Sequence, residues 1–329
     1  MLPQDAVVIL HVTVWAGPAA GAGPEPWLLA WILEPLVFLP LLATAALYLR
    51  GWEPLSHRMR DRFGPARPVA FMAGLASILL ALSSPVDALS PLLLQAHMTQ
   101  HLLLMVVAPP LLWMGAPVAP LLCGLPRSIR RTVTIALGRP WVRRLSDTLT
   151  DPRVGWAAFV VAFWAWHVPA LYDLALRSEV WHGVEHTCFF TTAMLFWRPV
   201  ILPWPASSSW PRWAMIPYLV LADLQNSALA AILTFSDRVI YPAYAVVPRI
   251  WGLSALQDQQ VAGVIMWVPG SLTFLLPVVW LVATALAAPK PDTMRAAVRL
   301  SSQEAARPEA DRKRPRHREI LVARESRRS

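Results

Sequence analysis

The chain is expected to fold as an all-α, polytopic membrane helix bundle of about seven transmembrane helices, and three observations lead there. Of its 329 residues, 56% are hydrophobic and only 15% are charged, whereas a soluble domain carries roughly a quarter charged residues. The apolar residues gather into stretches of about 20, which at ~1.5 Å per helical residue match the ~30 Å hydrocarbon core of a bilayer. The basic residues are crowded into every second connection between those stretches, as the positive-inside rule requires. The 17 Trp suit a protein whose aromatic rings sit at the membrane interfaces.

Taken in order, residues 1–26 read as an extracytoplasmic lead-in. Their apolar run, 6–15, is short and no Lys or Arg precedes it, unlike a secretory signal. Residues 27–288 form the transmembrane domain, with spans expected at 31–49, 68–84, 92–114, 155–171, 182–197, 213–235 and 261–287. Prolines interrupt several of them, at Pro109, Pro110, Pro169, Pro269 and Pro277. Such residues kink membrane helices and free carbonyls that neighbouring helices must satisfy. Residues 289–329 form a basic tail, poor in aromatics and expected to be disordered.

The net charge of +9 does not point to nucleic acid, because the tail alone holds 12 basic residues against 6 acidic ones. The loops between spans one and two, three and four, and five and six carry 14 arginines; the opposite loops carry Arg177, Arg238 and Arg249 only. This asymmetry predicts a cytoplasmic carboxyl terminus and an amino terminus outside. Cys123 and Cys188 lie in apolar surroundings without a C-x-x-C pattern, which offers neither a disulfide framework nor a thiolate metal site.

Five of the eight histidines belong to span segments: His97 and His101 in the third, His167 at the end of the fourth, His182 and His186 at the start of the fifth. With the topology set by arginines alone, all five reach the same outer leaflet. The pairs His97–His101 and His182–His186 are both spaced i, i+4, which stacks two imidazoles on one helix face. Facing helices with such pairs can form a nitrogen-ligand metal site, for which copper, zinc, iron and nickel are all suitable. Gln100, Glu185 and Asp258 gather at the same level, with Glu185 and Asp258 as candidate carboxylates to orient metal-bound rings. Met105 follows His97 by two turns, a thioether suited to Cu(I).

Three other readings compete. A lone interfacial histidine is commonly a hydrogen-bonded residue, so the five can serve as polar glue in a membrane scaffold without metal. His182, Glu185 and His186 match the H-x-x-E-H pattern of some zinc peptidases, a short pattern that arises easily by chance. Histidines from two helices can also hold haem in a membrane electron-transfer protein.

Four motifs in sequence bring a family resemblance. HMTQHLLLMVVAPPLLWMGAP from His97, WHVPALYDLAL from Trp166, EHTCFFTTAMLFWRPV from Glu185 and QDQQVAGVIMWVPG from Gln257 resemble the seven-span cytochrome c oxidase assembly factor CtaG family. The single-span copper chaperone that shares the name carries a Cys-bearing extracytoplasmic domain and is a different protein. The resemblance implies a non-enzymatic role in maturing a haem–copper oxidase in a bacterial plasma membrane, with copper as the cargo. It implies the oxidase subunits, the lipid bilayer and an extracytoplasmic copper donor as partners. His97, His101, His167, His186, Gln100, Glu185 and Asp258 fall in the matching motifs; His182 rests on its spacing.

Overall fold

The computed structural model describes residues 31, 33–206 and 210–287. The expected lead-in, 1–26, and basic tail, 289–329, lie outside the described residues. Among those described, helices account for every regular element and no strand is present. One compact unit runs to Leu281, and the last described residues continue its final helix.

The first span is helix α1, Pro35–Arg58, which carries its arginines Arg50 and Arg58 on the helix itself rather than in a loop. Helix α2, Ala66–Ser83, is followed by the short α3, Pro85–Leu89, for which Ser84 provides the amino-terminal cap through Val86 N–H at 3.1 Å. The third span is built of α4, Leu94–Leu102, one π-helical turn over Leu103–Val107, and α5, Ala108–Met114. The wide turn precedes the Pro109–Pro110 pair. Pro109 has no N–H for the carbonyl of Met105, and the indole Nε1–H of Trp197 donates to that carbonyl instead, at 2.9 Å.

After α5 the chain bends by 69° into α6, Val118–Gly124. Helices α7, Arg127–Leu137, and α8, Pro140–Leu149, then form a surface connection without a buried residue. The fourth span, expected to run to residue 171 with a kink at Pro169, breaks at His167. Helix α9, Pro152–Trp166, ends there, and α10, Pro169–Arg177, leaves at 76° because Pro169 starts a new helix. Helix α11, Glu179–Ile201, is capped by Ser178. Helix α12, Met215–Phe235, the short α13, Ala243–Val246, and the 33-residue α14, Ala255–Ala287, complete the described residues.

Four helices are long and apolar enough to cross a membrane, and the two bent pairs raise that number to six. The expected span not among these six is the fifth, α11. At 23 residues it has the length, but His182, Glu185 and His186 together with its threonines dilute its apolar character. The two histidines and Glu185 belong to the site described next, whereas the threonines bond to carbonyls of their own helix.

Packing is close where small residues face each other. Gly51 of α1 lies against the backbone of Pro120 and Gly124, and Gly124 of α6 against the backbone of Leu47, with no room for a Cβ on either glycine. Small residues let membrane helices approach to backbone contact in this way. Phe159 stacks on Phe196 and Trp197 on Phe274, with Phe196 and Phe274 edge to face, where α9, α11 and α14 meet.

Candidate metal centre

Helices α4 and α11 bring their two histidine pairs face to face. Ring centroids lie 4.4 Å apart for His97–His101, 4.2 Å for His182–His186, 5.2 Å for His97–His182 and 5.6 Å for His101–His186. Glu185 sits between the pairs on α11, wholly buried, with Oε2 3.7 Å from His97 Nε2 and Oε1 3.6 Å from His101 Nε2. Two trios bring one donor atom each within 4.8 Å of one another: His97, His182 and His186, and His97, His101 and Glu185. His97 is common to both.

His167 approaches from the break between α9 and α10, its ring centroid 6.1 Å from that of His101. It belongs to neither trio. Its Nδ1–H donates to the carbonyl of Phe163 at 2.6 Å, so its Nε2 carries the lone pair. Between His101 and His167 lies a cavity of about 40 Å³, lined also by Met98, Met105 and Met266.

Many polar atoms here are buried without a hydrogen-bond partner among the described residues. They include Nε2 of all five histidines, Nδ1 of His101, and both oxygens of Glu185. An unpartnered buried polar group costs roughly 1–3 kcal/mol, and more when charged. Such atoms gathered into two trios that share His97 are tolerable if a cation engages them. Imidazole nitrogens with a carboxylate are a donor set that accepts copper or zinc. The residues therefore fit a metal ion.

The tyrosines fix how the centre presents itself. Tyr244 donates its O–H to the carbonyl of Ser90 at 2.7 Å, so toward His97 Nδ1, 3.1 Å away, it can only accept. His97 is thereby held with its proton on Nδ1 and its Nε2 lone pair aimed at Glu185 and the other rings. Tyr172 donates in turn to the Tyr244 oxygen at 3.4 Å, and Tyr241 donates to the carbonyl of His167 at 3.1 Å. Tyr241 and Tyr244 lie in the connection between α12 and α14, and burial raises both hydroxyls above the usual tyrosine range. They stay neutral donors.

Asp258, expected as an orienter, and Gln100, expected beside the cluster, act elsewhere. Asp258 does not touch an imidazole: Leu94 N–H donates to its Oδ2 at 2.7 Å and Gln95 N–H to its Oδ1 at 3.2 Å. It caps the helix that bears His97 and His101, because the first N–H groups of α4 have no partner within the helix. Gln100 also faces away, donating to the Ala81 carbonyl at 2.8 Å and to Asp87 Oδ1 at 2.7 Å, which ties α4 to α2 and α3. Glu185, expected as an orienter, stands among the candidate donor atoms themselves. The tyrosines were missed, although three of the chain's five Tyr fall in polar connections level with the histidines.

Comparison with known proteins follows the same outline. The family model described as cytochrome c oxidase caa3 assembly factor matches residues 46–288. Uncharacterized proteins of Mycobacterium bovis and Mycobacterium tuberculosis are each 25% identical over 282 residues, which is 79% of this chain and 40% of theirs. An uncharacterized protein of Mycobacterium leprae is 24% identical over 298 residues, 86% of this chain and 41% of its own. The chain thus spans about two fifths of the length of these curated relatives. No solved structure matches the chain.

Proposed function

Since the chain belongs to the cytochrome c oxidase caa3 assembly factor family, we propose that it binds copper at the histidine cluster and helps deliver the ion to an oxidase subunit. The observation that carries this reading is the convergence of unpartnered, buried imidazole nitrogens and carboxylate oxygens from α4 and α11. His97, His101, His182 and His186 are the proposed ligands, with Glu185 as an anionic ligand or a charge partner. His167, one ring away, is the proposed exchange position. Asp258, Gln100 and Tyr244 hold the ligand-bearing helix and ring in place.

The arginine asymmetry supports an orientation with the cluster toward the extracytoplasmic side of a bacterial plasma membrane, so that copper arrives from a donor outside. The partners are then the bilayer, the oxidase subunits and that donor. No bond in a substrate is broken in such a transfer. Copper passes by ligand exchange, so the role is that of a chaperone and not of an enzyme.

Two alternatives meet specific obstacles. A haem sandwiched between histidines needs a flat slot for the macrocycle, whereas here the rings pack on one another. A zinc peptidase needs its glutamate at a substrate cleft, whereas Glu185 is wholly buried between His97 and His101. The deciding experiment is metal analysis of the purified protein beside the His97→Ala, His101→Ala double variant. Copper in the wild type that is lost from the variant is expected. A wild type loaded with copper in solution that retains none after gel filtration overturns the reading.

A further inference from the structure

A second site lies where α1, α6 and α7 meet, and it has the opposite chemistry. A groove of about 430 Å³ is lined by the guanidinium-bearing side chains of Arg50, Arg58, Arg127 and Arg130, with Leu55 and Leu125 on its walls. Among the described residues, no carboxylate lines it. Among the described residues, none of the four arginines takes part in an ion pair or donates a side-chain hydrogen bond. Four like charges around one groove repel one another unless an anion occupies it.

The surroundings say which kind of anion. The exposed face of α1 runs through Leu39, Leu42 and Leu49 and ends at Arg50, so an acyl chain lying along α1 reaches the groove with its head. On the other side, α7 and α8 are amphipathic and bury nothing. In α7, Ile129 and Val133 share one face, with Arg127, Arg130 and Arg131 away from it. In α8, Trp141, Leu145 and Leu149 share one face, with Arg143 and Arg144 away from it. Trp141 is 62% and Leu145 51% exposed, too much apolar surface for water on a connection tied to membrane spans at both ends. Helices with such faces lie in the bilayer interface, apolar side among the acyl chains and arginines at the headgroups. The Gly51–Gly124 backbone contact fixes α1 against α6 and so gives the groove rigid walls.

We propose that this groove is a binding site for an anionic phospholipid, its phosphate held by Arg50, Arg58, Arg127 and Arg130, and that α7 and α8 rest on the surrounding anionic bilayer surface. Basic pockets between membrane helices recognise phospholipid headgroups by this chemistry. The proposal is independent of the copper reading, since no histidine takes part.

Native mass spectrometry of the detergent-purified full chain tests it, with phosphatidylglycerol, cardiolipin, phosphatidylcholine and inorganic phosphate offered separately. Retention of phosphatidylglycerol or cardiolipin is expected, with neither phosphatidylcholine nor phosphate retained comparably. The Arg50→Gln, Arg58→Gln, Arg127→Gln, Arg130→Gln variant should lose affinity by about tenfold or more. Cys123 lines the same groove and serves as a reporter in a Cys188→Ser background, where bound anionic lipid should slow its alkylation. Equal retention by the arginine variant overturns the proposal, as does equal binding of phosphatidylcholine. Binding of inorganic phosphate as tight as that of the lipids would show a free-anion site instead. Protection of Cys123 only by an added protein partner would make the groove a protein-docking surface, and also overturns it. An unchanged gel-filtration profile separates these outcomes from misfolding of the variant.

Discussion

Tyr244 and His97 are 147 residues apart, yet the hydroxyl of one lies 3.1 Å from Nδ1 of the other. Because the same hydroxyl donates to Ser90, the relationship has a direction. It accepts from the imidazole and so determines that Nε2, not Nδ1, is the nitrogen open to a metal. Arg249 donates to the backbone carbonyl of Tyr244, and Gln259 holds the preceding connection by accepting from Ile240 N–H at 2.7 Å and donating to the carbonyls of Leu233 and Arg238. A loop that looks like filler between two spans is clamped at several points so that one oxygen is in position.

Removing that oxygen is the first prediction. Tyr244→Phe leaves the ring in place but frees the His97 proton to sit on either nitrogen. Partners of this kind are typically worth about 10–100-fold in metal affinity. Copper affinity is expected to fall by about tenfold, measured by competition with a chelator of known strength, and the melting temperature in detergent should fall too, because the buried Ser90 carbonyl loses its donor. Unchanged copper affinity would show that His97 does not depend on this hydrogen bond.

Asp258 gives a prediction of the opposite kind. Its carboxylate caps α4 through two backbone N–H groups, so Asp258→Ala should lower stability by about 1–2 kcal/mol. The loss should appear in thermal unfolding of the purified protein without copper present. A variant as stable as the wild type, but unable to bind copper, would instead identify Asp258 as part of the metal centre.

The difference between these two residues marks what was legible in the sequence. The i, i+4 spacing of His97–His101 and His182–His186 placed both pairs on helix faces, and the arginine-poor loops placed both at one end of the bundle. Local periodicity suffices for that. The destination of Asp258 was not legible, because an acidic residue opening a helix can face a ring, a solvent or a neighbouring helix end, and spacing does not choose among them. The break at His167 was half visible: Pro169 announces a kink, but not that the helix terminates and turns by 76°. Tyr244 was missed because it stands in a four-residue helix with no periodic pattern of its own. The length of α1, which carries Arg50 and Arg58 past the apolar stretch, was missed because charge was taken as the end of the helix.

Glu185 separates the copper reading from its rivals. Glu185→Gln keeps the side chain's size but removes the negative charge between His97 and His101. The expected result is weaker copper retention and lower oxidase activity in cells, with the oxidase subunits still present and uncleaved precursors absent. Accumulation of an unprocessed partner protein in the variant would favour a peptidase and sink the chaperone reading.

The last prediction concerns the frame on which the arginine groove depends. At Gly51 an added Cβ would collide with the backbone of Pro120 and Gly124, and at Gly124 with the backbone of Leu47. Backbone atoms cannot rotate aside as a side-chain terminus can, so either helix must move. Gly51→Ala or Gly124→Ala should each destabilise the protein by about 1–3 kcal/mol, as overpacking does. The two substitutions act on the same contact, so the double variant should lose less than the sum of the singles, a non-additivity that thermal unfolding of the three variants will reveal. The histidine centre is held by α4, α11 and the tyrosine connection, not by this contact, so each single variant should still bind copper with wild-type affinity below its melting temperature. Loss of copper binding without loss of stability in either variant would show that the two ends of the bundle are coupled in a way the packing does not explain.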